Sequence, residues 1–193
     1  MSKRNRIRNM TVEQLSNEHR LLDAHTFEYE RDDGSTQVLN REIYHVDDGA
    51  TGLPYDPERR TVLLVRQFRL PSYLRGEEGW LLEAPAGFVD NAPPEERVRE
   101  EIAEEAGYRV SEVTRVFEAS MIPGCVTHVV HGFIAKYSPA DRINSGGGLI
   151  EEGEDIEVVE LTIDRALGMV ANGEIIDAKT IMLLQHLALF GLR

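Results

Sequence analysis

The sequence predicts an α+β protein, a mixed sheet with few helices and a small antiparallel β subdomain ahead of it. Three observations predict this. Short runs rich in β-branched and aromatic residues recur between turn signals along most of the chain. Helical signals are confined to one glutamate-rich stretch and two C-terminal segments. The 193 residues, 41% hydrophobic and 28% charged, suit one domain with at most a small subdomain.

The opening "MSKRNRIRNM" is basic and leads into no apolar stretch. Residues 1–16 therefore read as a flexible, solvated tail and not as a secretory signal. Residues 17–48 read as the N-terminal β subdomain. Its strands lie near Leu21–Arg31 and Thr36–Val46 and turn at "DDGS". The main domain is 49–193. In it "RTVLLVRQFRL" (Arg60–Leu70) predicts a strand, "PSYLRGEEG" a loop and "WLLE" a short strand. Pro93 and Pro94 suit the opening turn of a helix, and Gly107 suits its stop. Strands follow near Thr114–Ala119 and Thr127–Tyr137, then the polar loop "DRINSGGGLIEEGED" and the strand "IEVVELT". Helices are expected over Asp164–Ala171 and Asp177–Phe190.

Charge and cysteine content narrow the function. A net charge of −13 argues against nucleic acid as a partner, because a phosphate backbone requires a basic surface. No apolar run approaches the ~18–20 residues that span a bilayer, so no membrane partner is expected. The single cysteine, Cys125, permits no internal disulfide and fits a reducing cytoplasm.

The segment "PEERVREEIAEEAGY" carries six glutamates between Glu95 and Glu105. At 100° per residue, Val98, Ile102 and Ala106 form a core stripe. Glu101, Glu104 and Glu105 then fall within roughly 100° of arc on one flank, with Arg97 beside them. Like charges at this spacing repel. Two readings remain open on these residues alone: a solvated acidic face, or an oxygen-ligand site for a hard divalent cation.

"EIAEEAGY", Glu101–Tyr108, together with "PAG" at Pro85–Gly87, resembles the Nudix box, G-x5-E-x7-R-E-U-x-E-E-x-G-U with U aliphatic or aromatic. The chain departs from the pattern in three places. Gly87 to Glu101 is one residue short, Ala92 or Pro93 stands for the loop glutamate, and Glu100 stands for the arginine. The likeness extends through "GATGLPYDPERRTVLL", "LVRQFRL", "GFVDN", "PGCVTH", "SGGGLIEEGEDIEVVEL" and "NGEIIDAKT". It is closest to the nucleoside-diphosphate-sugar branch of the family, which shares the shortened loop.

The resemblance implies an α/β/α sandwich around a mixed sheet, and a homodimer built through the N-terminal β subdomain. It implies Mg²⁺-dependent hydrolysis, with Mn²⁺ as the alternative cation, of a nucleoside diphosphate sugar to a nucleoside monophosphate and a sugar 1-phosphate. GDP-mannose is the favoured substrate and ADP-ribose the alternative. A non-catalytic nucleotide-sugar-binding module is the rival of another class. The implied metal ligands are Glu101, Glu104, Glu105, Glu154 and the carbonyl of Ala86. Glu152 is the expected base, with Glu104 also in a catalytic role. Arg66 and Arg69 are phosphate-binding candidates, and their odd separation on a strand turns only one of them to the site. Lys179 and His128 complete the substrate candidates. Cys125 has no evident catalytic partner and reads as inert.

Overall fold

The computed structural model describes residues 6–90 and 92–190, the side chain of Glu152 excepted. The chain divides into two compact units, residues up to 47 with 120–128, and 48–119 with 129 onward.

The first unit is a three-stranded antiparallel sheet of β1 (Ile7–Ser16), β2 (Leu22–Glu30) and β3 (Thr36–Tyr44), in the order β1-β2-β3. The strand β1 corrects the tail expected over 1–16; residues 1–5 lie outside the described residues. The basic composition misled because its charges have partners. Arg6 pairs with Asp32 at 2.6 Å and Arg8 with Glu30 at 2.9 Å. The alternation expected of a strand is broken by a register shift between Arg8 and Thr11, where Asn9 takes φ 51°. Residues 120–128 join this unit through the Tyr44 N–H on the Cys125 carbonyl (2.8 Å) and the Thr127 N–H on the Tyr44 carbonyl (3.2 Å).

The second unit holds β4 (Gly49–Asp56), β5 (Thr61–Phe68), β6 (Trp80–Glu83), β7 (Ala86–Phe88), β8 (Val113–Ser120), β9 (Val129–Lys136) and β10 (Glu157–Thr162). Its sheet runs β10-β5-β4-β9-β8, with β6 on β5 and β7 on β4. The β4–β9 pair is parallel and the β10–β5, β5–β4, β5–β6 and β4–β7 pairs are antiparallel, so the sheet is mixed. Strand β4 is buried along its whole length yet gives a weak sequence signal. "GATGLPYD" carries two glycines and a proline, which depress strand propensity.

Both faces of this sheet are covered. Leu53, Val62 and Leu64 pack with Ile163, Ala166 and Met169 of α3 (Ile163–Ala171) and Leu183, Leu184 and Leu187 of α4 (Ala178–Phe190). Ala50, Leu63 and Phe133 pack with Val98, Ile102 and Ala106 on the other face. The alternation of Val62, Leu63 and Leu64 between the two clusters follows the two-residue period of a strand. An α/β/α sandwich results. The helix between α1, a short turn over Leu70–Leu74, and α3 is α2 (Pro94–Glu101), which runs on into a π-helical turn over Ile102–Ala106. Gly52 sets its distance from the sheet. A Cβ there would lie 2.5 Å from Val98 Cγ2 and 2.9 Å from Ile102 Cδ1.

Candidate active site

The acidic helix is anchored by its apolar stripe, and that stripe decides where its carboxylates go. Glu101 and Glu105 are buried, at 4% and 1% exposure. The π turn changes what the α-helical wheel predicts for Glu104. Its wider i→i+5 rings rotate each residue by less than 100°. Glu101 and Glu105 stay aligned, while the Glu104 side chain is one-third exposed. Gly107 then ends the helix at φ 78°, a conformation open to glycine.

Strand β7 brings the "PAG" turn to these carboxylates. It pairs Ala86 with Thr51 of β4, and the Thr51 hydroxyl and Gly52 N–H both donate to the Pro85 carbonyl, at 3.0 and 2.9 Å. The Ala86 N–H donates to Glu105 Oε2 at 3.1 Å. Gly87 leaves room for Glu101, since a Cβ at this position would overlap its Oε1. Arg97 ion-pairs with Glu101, lies 3.3 Å from Glu100 and 3.9 Å from Glu104, and so supplies the cation the box arginine does not.

The glycine loop closes the site from another side. The Gly147 N–H donates to the Glu105 carbonyl (2.9 Å) and the Gly148 N–H to the Glu104 carbonyl (3.2 Å). Glu154 accepts from the Leu149 N–H at 2.8 Å, and a Cβ on Gly148 would overlap it. The loop thus docks on the end of the acidic helix. Glu105 feels the result. Burial, then the charges of Glu101 and Glu154, push its carboxyl up to about 9. Among the described residues its Oε1 is buried without a hydrogen-bond partner. A buried carboxylate oxygen left unpaired beside two further carboxylates fits a divalent cation, which would offset the repulsion and complete its coordination.

Arg69 follows β5 and makes a two-pronged contact with Glu83, Nε to Oε1 at 2.7 Å and Nη2 to Oε2 at 2.9 Å. Lys179 Nζ reaches the same carboxylate at 2.5 Å and Asp177 at 3.0 Å. Burial pushes the Glu83 carboxyl up, but Arg69 and Lys179 outweigh this and hold it down at about 2. Arg69 also feels the Glu105 charge, so this cation group neighbours the acidic cluster. Arg66 lies on the strand face of Val62 and Leu64, opposite the acidic helix, and pairs with Glu157 at 2.8 Å. His128 belongs to the N-terminal unit and donates Nδ1–H to the Asp47 carbonyl at 2.5 Å. The side chain of Glu152 lies outside the described residues; its backbone forms a 3₁₀ turn over Ile150–Glu152. Glu83 is the residue the sequence reading missed. It sits in "WLLEAPAG" with no motif of its own, and the one signal available was a lone carboxylate in a short apolar strand. A cleft of about 970 Å³, lined by Tyr55, Arg59, Lys136 and His186, contains none of these carboxylates.

Residues 6–44 match the family described as the GDP-mannose pyrophosphatase NudK N-terminal domain. The chain is 49% identical over 179 residues to a GDP-mannose pyrophosphatase of Klebsiella pneumoniae, covering 92% of this chain and 89% of that one. It is 47% identical over 178 residues to one of Pectobacterium atrosepticum, covering 92% and 91%. A solved ADP compounds hydrolase superposes with a TM-score of 0.72 at 16% identity, over 94% of this chain and 92% of that chain, a likeness of fold.

Proposed function

The chain belongs to the GDP-mannose pyrophosphatase branch of the Nudix hydrolases, and we propose that it hydrolyses the pyrophosphate bond of a nucleoside diphosphate sugar, GDP-mannose ahead of ADP-ribose. The observation that carries the proposal is Glu105, buried, crowded by Glu101 and Glu154, and left with an oxygen that has no partner among the described residues. Glu101, Glu105 and the Ala86 carbonyl would hold the cation, with Glu104 and Glu154 as further ligands. The cation is Mg²⁺, and Mn²⁺ is its substitute. When bound it neutralises pyrophosphate oxygens and acidifies a water.

The protein's own groups do the rest. Arg69 offers the N–H groups not bonded to Glu83 to phosphate oxygens, pre-oriented by its two bonds to that carboxylate. Lys179, tied to the same carboxylate, adds a second positive charge. Glu152 takes the proton of the attacking water, and the partly exposed Glu104 orients that water. We also assign a homodimer, supported by the apolar side chains Ile7, Met10, Val12 and Leu15 that β1 leaves exposed.

The test is phosphatase-coupled release of phosphate from GDP-mannose, GDP-glucose and ADP-ribose, with and without Mg²⁺. Mg²⁺-dependent turnover with the highest kcat/KM on GDP-mannose is expected. A best rate on ADP-ribose would keep the reaction and change the substrate. Absence of turnover on every member by a folded, Mg²⁺-binding chain would make this a binding module.

A further inference from the structure

The N-terminal unit contains a second cluster of ligand-type side chains, built by strand register. In the β2–β3 pair Asp23 lies opposite Ile43 and His25 opposite Arg41. His45 stands just beyond β3 and donates its N–H to the Leu21 carbonyl at 2.9 Å. Residues two apart on a strand share a face, so Asp23, His25 and His45 meet on one side of the sheet. Both rings turn Nε2 to the same carboxylate. His25 Nε2 is 2.8 Å from Oδ1, and His45 Nε2 is 3.0 Å from Oδ2. One potential ligand atom from each of the three residues lies within 4.8 Å of the other two.

The donor set differs in kind from that of the acidic helix. Two imidazoles and a carboxylate suit a borderline cation such as Zn²⁺, whereas Mg²⁺ selects all-oxygen sites. Ligands held ~2.0–2.1 Å from Zn²⁺ at tetrahedral corners lie about 3.3 Å apart, so three ligand atoms within 4.8 Å of one another are gathered closely enough for an ion to draw them in. The fourth corner is left to water. Asp23 is 5% exposed.

We propose that Asp23, His25 and His45 form a Zn²⁺ site within the N-terminal unit, sharing no residue with the catalytic cluster. The ion would join β2 to the segment leaving β3. Because it binds the folded sheet and not the unfolded chain as a site, it would stabilise that sheet by mass action.

The test uses the full chain, stripped of metal and then held in saturating Mg²⁺ to occupy the acidic cluster. It is titrated with Zn²⁺, and separately with Co²⁺ as a visible-absorbing probe. One Zn²⁺ per chain, a rise in the unfolding midpoint and a Co²⁺ band from nitrogen–oxygen ligation are expected. His45→Asn and Asp23→Asn should lose all three, while Glu105→Gln keeps them. His45, with a side chain 38% exposed, carries the test if Asp23→Asn fails to fold. Absence of Zn²⁺ binding in the presence of Mg²⁺ would overturn the proposal and leave the cluster a hydrogen-bonded carboxylate. So would an unchanged stoichiometry in His45→Asn, or loss of the Zn²⁺ in Glu105→Gln.

Discussion

Glu105 and Arg69 carry opposite consequences of being buried in one neighbourhood. The Glu105 carboxyl, raised from 4.5 to about 9, keeps its proton in the metal-free folded protein over a pH window where the unfolded chain has released it. Folding then takes up a proton, so metal-free stability falls as pH rises from about 4.5 to about 9. Mg²⁺ competes with that proton, so its stabilising effect should grow across the same window. Glu105→Gln removes the titrating charge. Thermal unfolding at pH ~8 should find the metal-free variant more stable than the parent and unresponsive to Mg²⁺. Its kcat/KM should fall by more than about 100-fold, because even outer-sphere partners of a metal cost 10–100-fold. Mg²⁺-dependent turnover surviving in this variant would remove Glu105 from the ligand set. For Arg69→Ala, steady-state kinetics should record a loss of about 10²–10³-fold in kcat/KM, the usual cost of one preorganised phosphate or oxyanion contact. A loss confined to stability would make Arg69 merely the partner of Glu83.

At the scale of the element, the acidic helix works because it is held close to β4. Gly52 permits this, with a would-be Cβ within 3 Å of both Val98 and Ile102, which are fully buried. Gly52→Ala overpacks the contact and should cost about 1–3 kcal/mol in denaturant unfolding. Since the same shift moves Glu101 and Glu105, the apparent Mg²⁺ affinity should weaken as well. A neutral effect on both would mean that the helix has slack at this point. The acidic helix was legible in the sequence from Val98, Ile102 and Ala106, because 3.6-residue periodicity is a local property. Its π turn was not, because nothing in "IAEEAG" distinguishes i→i+5 from i→i+4 pairing. The docking of Gly147 and Gly148 on the Glu105 and Glu104 carbonyls accompanies that turn and comes from a loop about forty residues later.

At the scale of the whole molecule, β1 is the least self-sufficient strand. It leaves Ile7, Met10, Val12 and Leu15 on the surface and contributes an edge to its sheet. Deleting residues 1–16 should convert a dimer into a monomer in sedimentation equilibrium. It should also lower stability, as the edge of β2 loses its partner. A parent chain that sediments as a monomer would end the dimer assignment.

The sequence alone determined the alternation of strands and the helix with its buried stripe, since each rests on residue type at short spacing, and it gave the class of chemistry through the resemblance of its acidic box to the Nudix pattern. It also indicated that Arg66 and Arg69 could not both serve one face, which follows from the two-residue period. Tertiary structure alone decided the rest. Strand β1 exists because its backbone pairs with β2, up to twenty-two residues later, while Arg6 and Arg8 find Asp32 and Glu30. Strand β4, rich in glycine and proline, is central because its neighbours supply the packing it lacks. Glu83 joins Arg69 and Lys179 across 14 and 96 residues, and Asp23 meets His45 across 22. Local propensity has no reach over such distances; only the register of paired strands and the docking of α4 bring these charges together.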